Sequence, residues 1–354
     1  MVNSLVVVRV AIVGAGFMGQ LVHIPNFLKV ENCEVVALCD KREKLGRSVA
    51  EKYRIPRFYN SHEKLIDLKD IDACVVVVAD ELHAPIAIDL LKSGKHVFVE
   101  KPMSTNLDDA KEMCSAAERT GCILMIAYMK RFDPGCRLAK KLLEDCALRE
   151  KLGDITFVRI HCYGGDWVCG LDKSIPYLKT EEEPPRVEPR PPTWLPIEEY
   201  GRFRAFNNIY CHDINLMRWF LGEPKDILFS IFKNGYHSSV LAYEDFNVDL
   251  ETGFIKAHFW DEEFKIYFEN GWIEVNLPPP LLRNVPARVE VYEGGRARVL
   301  REHWAEWEWS FEREAQHFIS CIERKEEPLT SGKDSINDMK LIEGIYKKFL
   351  EEFR

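Results

Sequence analysis

No stretch of this 354-residue sequence has the length and apolar character of a membrane span. The apolar run near the start, Leu5 to Gly16, is interrupted by Arg9 and falls short of the ~20 residues a helix needs to cross a bilayer. No basic segment with an apolar stretch and a small-residue cleavage site precedes it, so no secretory signal is expected and the cytoplasm is the expected compartment. Positive charge is not in excess: 48 Lys and Arg face 57 Asp and Glu, for a net charge of −9. That balance argues against nucleic acid or an anionic membrane as partner. The 11 cysteines contain no Cys-x-x-Cys pair and no Cys/His spacing suited to zinc. They read as free, small apolar residues in a reducing compartment, and no catalytic metal is expected. A Gly-x-Ser-x-Gly elbow and a fixed-period repeat are missing too. What is present is ordinary globular composition, 46% hydrophobic and 30% charged, which excludes a mostly disordered chain. At about 150 residues per domain the length predicts two domains.

Strand and helix alternate through the first third. Leu5 to Val13, Glu34 to Cys39, Ala73 to Ala79, His96 to Val99 and Ile123 to Ile126 read as strands. Gln20 to Lys29, Lys41 to Tyr53, His83 to Lys92 and Leu107 to Thr120 read as helices, and Asn60 with Glu63 three residues on reads as the capping signal of a short helix. The uninterrupted apolar run Ala73 to Ala79 suits a strand buried on both faces. The expected fold is a doubly wound parallel sheet. Beyond about residue 150 the pattern changes. Ile155–Cys162, Ile227–Phe232, Ser239–Tyr243, Asn247–Trp260 and Phe264–Phe268 read as strands, with Asn270-Gly271 and Gly294-Gly295 as hairpin turns. This predicts an α+β region with a large, mostly antiparallel open sheet. Two amphipathic helices close the chain, one with the stripe Phe311, Ala315, Phe318, Ile319 and Ile322, the other with Ile336, Met339, Ile342, Tyr346 and Phe349. Glu181 to Pro196 holds too many prolines for helix or central strand and is expected to be a loop or arm. The expected domains are 1–128 and 129–354, with the closing helices free to pack back on the first.

The first motif with chemical content is Gly14-Ala15-Gly16-Phe17-Met18-Gly19, which follows a strand and opens a helix. Asp40 ends the next strand about 20 residues on, as in dinucleotide-binding folds. Gly14 permits the tight turn, Gly16 lets the backbone approach a pyrophosphate, and Gly19 permits close helix–strand packing. The helix N-terminus supplies donors and partial positive charge to phosphates. Asp40 is placed to accept bonds from ribose hydroxyls and predicts NAD; the basic pair Lys41 and Arg42 keeps NADP as an alternative.

Several motifs together resemble the glucose–fructose oxidoreductase and inositol dehydrogenase family. They are Gly14 to Gly19, then Gly94 to Pro102 with its Glu100-Lys101-Pro102 tripeptide. Ala127 to Pro134 follows, then His212 to Gly222 and the closing run Phe311 to Lys333. The resemblance spans nearly the whole chain and is weakest from Gly164 to Ala205. It implies a Rossmann cofactor domain with Gly14, Gly16, Phe17, Met18, Gly19, Asp40, Lys41, Arg42, Ala79, Asp80, His83, Glu100, Lys101 and Met129 at the cofactor. It also implies a cis bond before Pro102 and a dimer or tetramer formed through the second-domain sheet. The implied reaction is hydride transfer between nicotinamide and a secondary alcohol of a cyclic polyol or sugar. Lys101, at a strand's carboxyl end beside a cationic nicotinamide, suits proton transfer, and His212, expected to begin an amphipathic helix and face a cleft, can accept and pass on that proton.

Relatives commonly carry Asp four residues before this histidine, where this chain has Asn208. Asparagine can accept a bond from Lys101 or His212 but supplies no negative charge; Asp213 and Tyr210 are the nearby substitutes. Asp166 and Trp167, after the first strand of the second domain, are candidates to line the substrate cleft with Lys101 and His212. Trp304, Trp307 and Trp309 alternate with charges and read as a strand face or an interface. Two other functions fit the same scaffold: a glycoside hydrolase or lyase that retains its NAD, and a non-catalytic dinucleotide-binding regulator.

Overall fold

In the computed structural model, which describes residues 7–169, 176–256 and 258–353, the β-branched segments of the first third form one sheet. Its strands are β1 (Val8–Val13), β2 (Cys33–Cys39), β3 (Arg57–Tyr59), β4 (Ala73–Val76), β5 (His96–Val99) and β6 (Leu124–Ile126), in the order β3-β2-β1-β4-β5-β6. Every pairing is parallel. All residues of β4 and β6 are buried, as a sheet covered on both faces requires. Chain direction across the sheet reverses between β1 and β4, and doubly wound sheets take ligands in the crevice at that point. The strand β4 stops at Val76, short of the full apolar run, because the chain turns there into helix Asp80–Lys92. Asp80 and Glu81 occupy that helix's first turn, at the positive end of its dipole. The short helix Glu63–Ile66 is not capped by Asn60. Ser61 Oγ accepts from the Glu63 N–H at 3.4 Å, while Asn60 Oδ1 accepts from Lys64 Nζ at 2.8 Å.

The chain divides into two compact units. The first comprises Met1–Tyr128, Ile175–Ile209 and Phe311–Lys340; the second comprises Met129–Ser174, Tyr210–Ser310 and Leu341–Arg354. The proline-rich stretch therefore belongs with the parallel sheet, and residues 176–196 form neither helix nor strand. Helix Ser310–Arg324 also serves that sheet: the Phe318 ring meets Phe98 and Phe27 edge-on at 5.5 and 6.2 Å. Thr330 closes the sheet's end, accepting from the Ile126 N–H at 2.9 Å and donating its hydroxyl back to the Ile126 carbonyl at 2.7 Å.

The second unit is built on β7 (Ile155–Gly164), β8 (Asp226–Lys233), β9 (Tyr236–Ala242), β10 (Asn247–Phe254), β11 (Asp261–Phe268), β12 (Gly271–Asn276), β13 (Arg288–Glu293) and β14 (Val299–His303). Their order is β14-β13-β12-β11-β7-β10-β9-β8. Only β7 and β10 pair in parallel. The expected strand Asn247–Trp260 is in fact β10 plus a connection. Because β10 and β11 flank β7 on opposite sides, the chain has to leave the sheet after Phe254 and cross the end of β7. Both hairpins form, but not as the expected two-residue turns: Phe268 pairs with Gly271, so Glu269 and Asn270 make the first turn, and Glu293 pairs with Val299, so residues 294–298 make a longer second loop. Burial alternates along β11 and β12, so one face is core. Phe232 of that core packs on Tyr346 and Phe349 of helix Gly332–Phe353, at 4.8 and 5.0 Å. Strand β14 ends before Trp304, so the tryptophan run is not a strand; Trp304 and Trp307 are exposed while Trp309 is buried. Among the described residues, no helix is long and apolar enough to cross a membrane.

Candidate active site

The glycine loop leaves β1 in a conformation only glycine tolerates. Gly14 has φ +116°, and a Cβ there would lie 1.9 Å from the Val77 carbonyl oxygen. At Gly19 a Cβ would meet the Gly14 carbonyl oxygen at 2.3 Å. Gly16 differs. The nearest atom to its ideal Cβ is an Arg42 nitrogen at 3.8 Å, so open space faces the backbone where a pyrophosphate would approach. Phe17, Met18 and Gly16 are half-buried, and the helix that follows includes a π turn over Gly19–His23, a feature common at functional sites.

Asp40 ends β2 buried and already bonded. It accepts from the Ala15 N–H at 2.7 Å, from the Arg42 N–H at 2.8 Å, and from Arg42 Nε and a terminal guanidinium nitrogen at 3.0 and 2.9 Å. The carboxylate thus ties the glycine loop to the end of β2, and the Arg42 guanidinium lies across it. Lys41 beside it is exposed.

At the end of β5, Glu100 is buried between His23 Nε2, 2.6 Å from one oxygen, and the Lys101 N–H, 2.9 Å from the other. Burial alone would push the Glu100 carboxyl up. The bond and charge of His23, with the nearby charge of Lys101, outweigh it and hold the carboxyl below the usual range. The Lys101–Pro102 bond is cis. Lys101 Nζ donates to the Asn208 carbonyl oxygen at 2.8 Å and lies 3.4 Å from Asn208 Oδ1. Asn208 Nδ2 donates to Asp80 Oδ2 at 2.9 Å. Arg204 Nε stands 3.3 Å from Asp80 and 2.9 Å from Glu81, which also accepts from the Tyr200 hydroxyl at 3.1 Å. The structure therefore joins Lys101, Asn208 and Asp80 in one chain of polar contacts, and the negative charge that Asn208 lacks sits one residue further along it. His83 is buried, Nδ1 facing the Pro102 carbonyl at 2.8 Å and Nε2 the Val78 carbonyl at 3.2 Å. It holds the turn beyond Lys101. Ala79 is the N-cap of the helix that carries His83.

His212 does not start its helix as expected: the helix runs Tyr200–Leu221, so Asn208 and His212, four residues apart, both lie inside it, one turn apart on the same face. His212 is half-buried and Met129 is buried. Neither proposed substitute for a carboxylate at 208 acts as one. The Tyr210 hydroxyl donates to the Gly253 carbonyl at 2.5 Å, and Asp213 turns into the second unit's core. There it lies 3.7 Å from Lys130 Nζ, which also donates to Glu262, and Glu262 in turn accepts from Trp260 Nε1 at 2.9 Å. The ligand atoms of Cys162, Asp213 and Glu262 lie within 4.8 Å of one another, but the Lys130 ammonium stands among them as the cation. Asp166 accepts from the Val168 N–H at 3.1 Å and faces His258 Nδ1 at 3.2 Å; Trp167 is exposed.

Sequence reasoning missed His23, Gln20 and Glu182. Gln20 is fully buried and exchanges two bonds with the Leu178 backbone, both 2.9 Å; Glu182 accepts from the Lys44 and Leu45 N–H groups at 3.1 and 2.9 Å. These contacts join positions over 130 residues apart and leave no local pattern. A buried glutamine inside an apolar helix is the one signal that could have been followed.

Residues 8–128 match the model of an oxidoreductase family with an NAD-binding Rossmann fold. A myo-inositol 2-dehydrogenase of Thermotoga maritima is 24% identical over 369 residues, covering 98% of this chain and 97% of that protein. An alpha-N-acetylgalactosaminidase of Shewanella oneidensis is 34% identical over 130 residues, covering 34% of this chain and 28% of that protein. The solved structure of a levoglucosan dehydrogenase in complex with NADH and levoglucosan superposes with a TM-score of 0.77 at 17% identity, over 98% of each chain. That last likeness is one of fold.

Proposed function

We propose that this chain, a member of the glucose–fructose oxidoreductase and inositol dehydrogenase family, is an NAD(P)-dependent oxidoreductase acting on a secondary alcohol of a cyclic polyol, sugar or sugar derivative. One conjunction carries the reading. A glycine loop open at Gly16 and a lysine fixed by Asn208 both stand at the carboxyl edge of the same parallel sheet, where such sheets bind ligands. The residues present fit a dinucleotide: the space beside Gly16, which a side chain would enter, is open to a pyrophosphate, and Asp40 fixes the loop's backbone. Bound nicotinamide supplies the hydride acceptor or donor. Lys101 takes the hydroxyl proton in oxidation or returns it in reduction. Asn208 orients the ammonium and Asp80 fixes Asn208, and His212 is the second candidate for general acid–base work. The name of the Thermotoga relative supports the substrate class. The 11 cysteines are free thiols, which suits a reducing cytoplasm. The half-buried aromatic residues Tyr267, Trp272 and Tyr292 on the outward face of the second sheet suit a homodimer or homotetramer, measurable by sedimentation.

The Shewanella relative favours a second reading, a glycosidase that retains NAD and oxidises its substrate transiently, but its match covers 34% of this chain. A panel of polyols, aldoses and glycosides, read by NADH absorbance after mass spectrometry of any co-purified dinucleotide, separates the two. Net NADH with a polyol or sugar supports the oxidoreductase; sugar release without net NADH supports the glycosidase. Gly16→Val should abolish dinucleotide binding in calorimetry while the melting transition survives. Unchanged binding in that variant removes the cofactor assignment.

A further inference from the structure

We propose that Glu182, reaching in from the proline-rich arm, selects NAD over NADP by placing a second carboxylate where a 2′-phosphate would have to sit. The inference rests on the oxidoreductase reading above and deepens it.

The arm is seated by specific bonds rather than by its sequence neighbours. Gln20 pairs both ways with the Leu178 backbone and also donates to the Ala15 carbonyl of the glycine loop at 2.8 Å. Tyr177 meets Phe17 of the same loop edge-on at 5.3 Å. Thr180 then shapes the turn, its hydroxyl donating to Glu182 Oε2 and accepting from the Glu182 N–H, both at 3.1 Å. The Glu182 carboxylate lands on the first turn of helix Glu43–Tyr53, with one oxygen on the Lys44 N–H and the other on the Leu45 N–H. That helix has no side-chain cap of its own at Arg42, so a residue distant in sequence supplies it.

The place matters because of what surrounds it. In a dinucleotide-binding fold the residue that ends β2 receives the ribose hydroxyls, and a nearby arginine accommodates a 2′-phosphate when there is one. Arg42 is the arginine available here. Asp40 holds it in a two-point fork, and the Glu182 charge also acts on it. One carboxylate therefore holds the guanidinium while the charge of a second acts on it, and the Arg42, Lys44 and Leu45 N–H groups that could bind an anion are taken. A ribose with a free 2′-hydroxyl meets no like charge there, whereas a 2′-phosphate meets two carboxylates.

Calorimetric titration of the full chain with NAD and with NADP tests this in wild type, Glu182→Gln and Glu183→Gln. The first variant removes the charge and keeps an acceptor oxygen on the helix. The second removes the same charge from an exposed neighbour. Wild type should bind NAD more tightly. In Glu182→Gln the ratio of the NADP to the NAD dissociation constant should fall by about tenfold, and in Glu183→Gln it should hardly move. A ratio unmoved in Glu182→Gln, or moved equally in both variants, overturns the inference and leaves the oxidoreductase reading in place. Binding of neither dinucleotide by wild type overturns both together.

Discussion

In the first unit the buried carboxylates of Asp40 and Glu100 are met by ample donors from loops at the sheet edge: four contacts on Asp40, and His23 with the Lys101 N–H on Glu100. In the second unit a single buried ammonium, Lys130, faces two buried carboxyls, Asp213 and Glu262. Donors keep Glu100 ionised against its burial. In the second set burial pushes Asp213 up, to about 8, the charge of Lys130 opposing and that of Glu262 reinforcing it. Burial would lower Lys130, but the two acids outweigh it and raise it. One set shapes loops around a site; the other pins helix Tyr200–Leu221 to a core. Glu314 is the first unit's exception, fully buried, pushed well above the carboxylate range by burial and by the charge of Glu100.

The comparison predicts that substitutions in the two sets break different properties. Lys101→Ala and His212→Ala should each lower the chemical step by roughly 10²–10⁴-fold in single-turnover measurements, with little loss of stability. Full activity in both variants would place the chemistry elsewhere. Lys130→Ala should do the reverse. It strands two acids in a dry core and should cost about 3–5 kcal/mol of stability in urea unfolding. A loss below about 1 kcal/mol would mean the cluster is solvated.

The pH dependence of stability separates the sets again. An unfolded Asp213 releases its proton near the usual carboxylate value of about 4, whereas the folded one holds it to about 8. Between those values the folded state binds more protons, so stability falls as pH rises through the window. Asp213→Asn should flatten this part of the pH–stability curve. A slope equal to that of wild type would show that Asp213 is ionised throughout. His237 works in the opposite sense. Burial lowers it to about 3, so the unfolded chain binds the proton first, and the stability it contributes is lost as pH falls from about 6.5.

The two units were not equally legible in the sequence. β1, β4 and the glycine loop follow from local pattern, since burial on both faces writes an unbroken apolar run and φ > 0 demands glycine. The two hairpins were legible from their Asn and Gly residues but their turns were not: Gly271 lies inside β12, and of the four expected turn residues Gly295 has φ > 0. The split of Asn247–Trp260 was not, because it depends on which side of β7 each neighbour lies. Nor were the partners of Asn208 and Glu182, which come from elements over 100 residues away. Periodicity reports which face is buried and is silent on what a polar side chain finds there.

The smallest expected effect is the sharpest test of the chain from Lys101 to Asp80. A carboxylate at position 208 favours protonated Lys101, so the acidic limb of the pH–rate profile for alcohol oxidation should move up in pH. But Asn208 Nδ2 donates to Asp80 at 2.9 Å. Asn208→Asp replaces that bond with two carboxyls in contact, which cannot both ionise readily, although Arg204, 3.3 Å from Asp80, offsets part of the repulsion. The single variant should therefore move the limb by only about half a pH unit. Pairing it with Asp80→Asn exchanges the two side chains, restores the hydrogen bond in the opposite sense and brings the full charge beside Lys101. The limb should then move further, by about one unit. Equal profiles for the single and double variants would show that Asp80 does not act on Lys101 through position 208.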